Sequence, residues 1–163
     1  MADSTSSDHG RLTAGAAELA TAEDTLALGR RLGADLRAGD VVVLSGPLGA
    51  GKTLLTKGIA EAMDVEGPVT SPTFVLARVH RARRAGAPAL IHVDVYRLLD
   101  HAAADLLAEL DSLDLDTDLD DAVVVVEWGE GLAERLSTHH LDVQLERLTD
   151  AEGRTAMWRW SVS

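Results

Sequence analysis

The sequence predicts an α/β fold with a mainly parallel sheet, and three stretches carry that reading. Residues 40–63 run D-V-V-V-L-S, then G-P-L-G-A-G-K-T, then L-L-T-K-G-I-A-E-A-M. A short β-branched apolar strand, a glycine-rich loop and a helix-spaced segment therefore follow one another directly. Ala122 to Trp128, A-V-V-V-V-E-W, is an unbroken apolar run of the kind buried in the middle of a parallel sheet. Two further pairs of strand-like runs, F-V-L-A-R-V-H with A-L-I-H-V-D-V-Y and L-D-V-Q-L-E-R with T-A-M-W-R-W-S-V, are separated by short turn-rich tips and read as hairpins.

Taken in order, the start M-A-D-S-T-S-S-D-H-G is polar and small, and residues 1–10 are expected to form a disordered tail ahead of a single domain over 11–163. Thr21 to Asp24 has the form of a capping box with Asp in place of Glu. The segment after it places Leu28, Leu32 and Leu36 four apart, as one buried helix face requires. Gly39-Asp40 turns the chain into the first strand of the 40–63 unit. After its helix, two prolines and three hydroxyl residues make Gly67 to Thr73 an exposed connection. From His101 to Asp121 there are eight acids and no Lys or Arg, with Leu106, Leu107, Leu110 and Leu113 keeping an apolar stripe. That pattern predicts a short helix followed by a solvated acidic loop. The run D-L-D-T-D-L-D fails as a calcium loop, because Leu119 stands where glycine is needed and Val125 where glutamate is needed. Residues 129–136 predict one more short helix.

The bulk properties exclude several function classes. At 163 residues the chain suits one well-buried domain and leaves little room for a second, acceptor-binding one. It has no cysteine, so it can hold neither a disulfide nor a Cys-based zinc site, in keeping with a cytoplasmic location. No apolar run approaches the length of a membrane span, so no membrane association is expected. A formal charge of −12 disfavours extensive direct binding of DNA or RNA, which needs a basic footprint. The local exception is R-V-H-R-A-R-R, where Arg78, Arg81, Arg83 and Arg84 cluster at a hairpin tip. This is either a solvated turn or a patch for an anionic partner.

The octapeptide at 46–53 has the full spacing of a nucleotide-phosphate loop. Glycines let the backbone curl so that successive N–H groups and a helix N-terminus point at an anion. Gly46 and Gly51 would supply the tight backbone, Lys52 would reach the β- and γ-phosphates, and the Thr53 hydroxyl would ligate Mg²⁺. Such a loop needs an acidic partner at the C-terminal end of a neighbouring buried strand. Asp94, ending L-I-H-V-D, and Glu127, ending V-V-V-V-E, both qualify: one would hold Mg²⁺ or its water and the other would orient the attacking water. Thr73, in T-S-P-T-F, is placed to close on Mg²⁺ and the γ-phosphate. Trp128 is either core packing or a nucleobase platform, and His80 and His92 read as ordinary strand residues.

The ordered set G-x-L-G-A-G-K-T, T-S-P-T-F, H-V-D-V-Y-R-L and V-E-W resembles the bacterial TsaE family, small ATPases of tRNA threonylcarbamoyladenosine synthesis. The resemblance extends from about Thr21 to Ser161. It implies a three-layer P-loop NTPase-like fold, mainly parallel, with an added antiparallel hairpin part. It implies ATP and Mg²⁺ as cofactors, with nucleotide contacts at Gly46, Leu48, Gly49, Ala50, Gly51, Lys52, Thr53, Leu54 and Trp128. Thr53, Asp94 and Glu127 would be the metal residues, and Glu127, Asp94, Lys52 and Thr73 the catalytic set. The helix start at Thr21 and Ala22 and the last hairpin at Gly153 and Arg154 would approach the nucleotide. The chain departs from many members in carrying Pro47, Leu54 and Gly129, none of which removes a phosphate or Mg²⁺ group.

The resemblance further implies an accessory ATPase that acts with a TsaB-TsaD pair, contacts tRNA mainly through those partners, and is weak alone. Two rival classes stand beside it. A small-molecule kinase could use the Arg78–Arg84 cluster as a lid, although a lid is expected late in the chain and no acceptor-binding insert is visible. A nucleotide-sensing scaffold would bind without significant turnover, and Lys52, Thr53 and Glu127 argue against it. A GTPase would need an Asn-Lys-x-Asp motif, which is absent.

Overall fold

A computed structural model describes residues 13–47, 49–69, 77–94, 121–127, 139–148 and 153–162. Nine elements follow in order: β1 Ala14–Leu19, α1 Ala22–Asp35, β2 Val41–Ser45, α2 Lys52–Met63, β3 Ala77–His80, β4 Ala89–Asp94, β5 Ala122–Glu127, β6 His139–Arg147 and β7 Arg154–Val162. The seven strands form one sheet in the order β1-β7-β6-β2-β5-β4-β3.

The predicted strand, loop and helix at 40–63 are β2, the glycine-rich turn and α2. β2 lies between β6 and β5, parallel to both, and β5 is parallel to β4. The parallel character is confined to these four central strands. The outer pairs β3/β4, β6/β7 and β1/β7 are antiparallel, so the sheet is mixed, with antiparallel parts on both sides rather than a single added hairpin. The connection at 81–88 is too short for the crossover a parallel neighbour would need, which fixes β3 and β4 as antiparallel.

β1 is absent from the sequence reading. A-G-A-A-E-L has weak strand propensity, and its extended state comes from pairing along its whole length with β7, Ala14 opposite Arg159 through Leu19 opposite Arg154. The indole of Trp158 lies across Gly15, in space that any Cβ there would occupy.

α1 begins as the sequence indicates. The Asp24 amide donates to Thr21 Oγ1 at 3.2 Å, and the Thr21 amide donates back to Asp24 Oδ2 at 3.1 Å. Leu28, Leu32 and Leu36 are buried together with Leu55, Ile59 and Met63 of α2 and with Val42, Leu44, Val123, Val125, Leu141, Val143 and Leu145 of the sheet. α1 and α2 cross where Gly29 meets Gly58. A Cβ at Gly29 would strike the Leu55 carbonyl, and one at Gly58 would strike the Leu26 carbonyl. Backbone thus rests on backbone at this crossing. On the other face, Val41, Val43, Ile91, Val93, Val124 and Val126 are equally buried, so the central strands are shielded on both sides. This explains their continuous apolar sequence.

Candidate functional site

The C-terminal ends of β2, β4 and β5 and the N-terminus of α2 converge on the glycine-rich loop. Gly46, Gly49 and Gly51 all have positive φ, at 143°, 77° and 101°. Gly46 has a second constraint, since its Cα faces the Leu145 carbonyl of β6 so closely that a side chain would collide with it. α2 starts at Lys52 from an N-cap glycine, Gly51, that offers no side-chain cap. Its first-turn amides thus face the hollow of the loop, where an anion is the natural complement.

Lys52 is 6% exposed, and its ammonium donates to the carbonyls of Gly46 at 2.8 Å and Pro47 at 2.9 Å. The charge is thereby stretched back across the loop mouth. Thr53 Oγ1 donates to Glu127 Oε1 at 3.2 Å. Glu127 is only 3% exposed, and a carboxylate that deep requires polar company. Ala50 is fully buried beneath the turn and Leu54 is half-buried on the first turn of α2.

The register places Asp94 directly opposite Glu127 on neighbouring parallel strands. The two predicted acids therefore hold adjacent register positions at one sheet edge. The last hairpin closes the other side of the loop. Arg154 Nη2 donates to the Gly49 carbonyl at 3.3 Å, and its guanidinium packs over Gly51. Gly153 lies against Leu19 and Ala20, immediately before the helix start at Thr21 and Ala22. Those two residues are exposed at the rim of this hairpin. Leu48, Thr73 and Trp128 fall outside the described residues, as do the 101–120 acidic stretch and the 129–136 segment.

One residue read as ordinary belongs to the site. His92 of β4 is fully buried, and its Nε2 lies 3.2 Å from Glu127 Oε1. The contact is off the line of a hydrogen bond, and neither ring nitrogen has a hydrogen-bonded partner. His92 opens the H-V-D-V-Y-R-L motif and shares its strand parity with Asp94, but its contact with Glu127 becomes legible only once β4 is aligned with β5. The arginine cluster is exposed at all four positions, with Arg83 Nη1 3.7 Å from Asp64 Oδ1. It sits on and beyond the edge strand β3, away from the loop. No group of three or more His, Cys, Asp or Glu side chains suited to a metal occurs among the described residues. Thr53 and Glu127 are the oxygen-bearing side chains that the described residues bring together beside the loop.

The family model described as "Threonylcarbamoyl adenosine biosynthesis protein TsaE" matches residues 19–156. This chain belongs to the TsaE family. A TsaE protein of Mycobacterium tuberculosis, named a tRNA threonylcarbamoyladenosine biosynthesis protein, is 74% identical over 149 residues, covering 91% of this chain and 89% of its own. The TsaE protein of Streptomyces coelicolor is 54% identical over 129 residues, covering 79% and 81% of the two chains. Among solved structures, Bacillus subtilis YdiB superposes with a TM-score of 0.68 at 28% identity, covering 93% of this chain and 87% of that one. The span matched by the TsaE model runs from Leu19 through the glycine-rich loop, Glu127 and Arg154, so every element of the site lies inside it.

Proposed function

We propose that this TsaE-family chain binds and hydrolyses Mg²⁺-ATP as an accessory ATPase in the threonylcarbamoyladenosine modification of tRNA. The observation that supports this best is the convergence of an uncapped helix N-terminus, the Lys52 ammonium and the Thr53–Glu127 pair on one glycine-rich loop. The loop amides and Lys52 suit a polyphosphate, and the Thr53 and Glu127 oxygens suit Mg²⁺. ATP with Mg²⁺ would bring a terminal phosphoryl group whose charge must be neutralised as water attacks.

In this reading Lys52 leaves the carbonyls of Gly46 and Pro47 and turns to the β- and γ-phosphates. Thr53 and Glu127 hold the cation, and Asp94, beside Glu127 in register, orients water or shares the metal. Arg154 closes the loop from the hairpin side, Trp128 stacks on the base, and closure of the Thr73 loop couples the site to a partner. A three-layer P-loop arrangement and a single domain from residue 11 onward belong to the same proposal, as does work in the cytoplasm. The partners are TsaB and TsaD, which would hold the tRNA and carry out the transfer; a strongly acidic chain is a poor RNA binder by itself.

The test is phosphate release from Mg²⁺-ATP by the purified chain, with and without a TsaB-TsaD pair. Turnover that is slow alone and rises with the pair supports the proposal. Phosphate transfer that appears only with an added metabolite would favour a kinase, and tight binding without turnover a sensor.

A further inference from the structure

We propose that His92 is the positioning residue for Glu127, holding the carboxylate in the orientation needed to serve a divalent cation at the loop. This rests on the Mg²⁺-ATP reading above and assigns a role to the residue that opens the H-V-D-V-Y-R-L motif.

Four observations converge on it. Glu127 ends a strand buried on both faces, with its side chain 4% exposed, so solvent has little part in orienting it. Its Oε1 is touched from two sides, by the Thr53 hydroxyl at 3.2 Å and by His92 Nε2 at 3.2 Å. Thr53 belongs to the helix that would receive the nucleotide, and its hydroxyl has a second task once a cation is present. His92 belongs to the neighbouring strand, where the register sets it opposite Val125, two residues before the Asp94–Glu127 pair. It is therefore fixed to the sheet and moves with neither loop nor helix.

The unfinished geometry is the informative part. A fully buried imidazole whose two nitrogens both lack a hydrogen bond is costly. Glu127 Oε1 lies 3.2 Å from Nε2, off line, on a carboxylate with rotatable bonds. A modest turn of Glu127 brings Oε1 onto the N–H direction of Nε2. The tautomer with its proton on Nε2 then donates to one carboxylate oxygen and leaves the other free for the cation. Second-layer partners of this kind typically change metal affinity about 10-fold to 100-fold when removed.

The test uses His92→Phe, His92→Gln and Glu127→Ala in the full chain. Binding of a fluorescent ATP analogue is measured at equilibrium with EDTA and across a Mg²⁺ titration, with melting temperature alongside. His92→Phe is expected to keep wild-type affinity in EDTA, to need about tenfold more Mg²⁺ for its half-effect, and to lose kcat more than KM. His92→Gln, which restores an N–H donor, should recover most of the Mg²⁺ response. In Glu127→Ala the Phe change should have no further effect on that response. In the nucleotide-free protein, ¹⁵N spectra should place the His92 proton on Nε2, and Glu127→Ala should shift that nitrogen.

A wild-type Mg²⁺ response in His92→Phe would overturn the proposal. So would equal loss of stability and of EDTA-state affinity in the Phe and Gln variants, which would mark a packing role only. An Nε2 resonance indifferent to Glu127→Ala would also overturn it. If the wild-type chain binds no nucleotide at all, the Mg²⁺-ATP reading fails, and the nitrogen spectrum still decides whether His92 engages Glu127.

Discussion

At the scale of single residues, the site separates contributions that can be removed one at a time. Lys52→Ala removes the ammonium that spans the loop mouth and its hydrogen bonds to the Gly46 and Pro47 carbonyls, so nucleotide binding should fall by about tenfold or more and turnover should vanish. Isothermal titration with ATP checks the first and phosphate release the second; wild-type rates in this variant would displace the site from the loop. Gly46→Ala tests the scaffold instead. Its φ of 143° and the facing Leu145 carbonyl leave no room for a methyl group. A loss of about 1–3 kcal/mol is expected in urea unfolding, with nucleotide affinity lowered as well. What the sequence revealed at this scale follows from distance along the chain. Gly46 through Thr53 form their site within eight consecutive positions, so spacing alone discloses it. Glu127 and Asp94 were recognised because each ends an apolar run at the edge where such loops open. His92 opens H-V-D-V-Y-R-L, but its contact with Glu127 stayed hidden because it depends on which residue of β4 stands beside which residue of β5, and no local pattern encodes that alignment.

At the scale of elements, the α1–α2 crossing is the place where one methyl group matters most. Gly58→Ala would push against the Leu26 carbonyl and the Gly29 backbone at once, and the helices would have to separate. The expected cost is about 1–3 kcal/mol, read from the urea midpoint. Because α2 also carries Lys52 and Thr53, separation should lower nucleotide affinity in proportion. Thr21→Ala, by contrast, deletes one half of the capping box at an exposed helix start, and about 1 kcal/mol of stability should go with it, with the loop untouched. The capping box and the leucine spacing of α1 were legible because both signals lie within a few residues. β1 was not, since six residues with three alanines and a glycine acquire strand structure only from β7, far away in sequence.

At the scale of the whole molecule, the sheet grades from a shielded middle to open margins. Amides of β2 and β5, paired on both sides and buried on both faces, should show the slowest hydrogen exchange, and those of β1 and β3, at the two edges, the fastest. Uniform exchange across the sheet would contradict the strand order. The parallel centre was foreseeable from Val123 to Val126, whose lack of alternation demands cover on both faces. The edges were harder to foresee, because a hairpin motif specifies its own two strands and says nothing about which of them joins the rest.

The strand order also bears on how the protein comes into being. The glycine-rich loop lies in the first third of the chain, but its wall is the Leu145 carbonyl, and its brace on Gly49 is Arg154. Among the described strands, β1 pairs only with β7, which is made long after it. A nascent chain must therefore keep β1 unpaired until β7 has been made. The pocket becomes complete only once β6 and β7 have been made, so a loop encoded early waits on strands encoded far downstream of it.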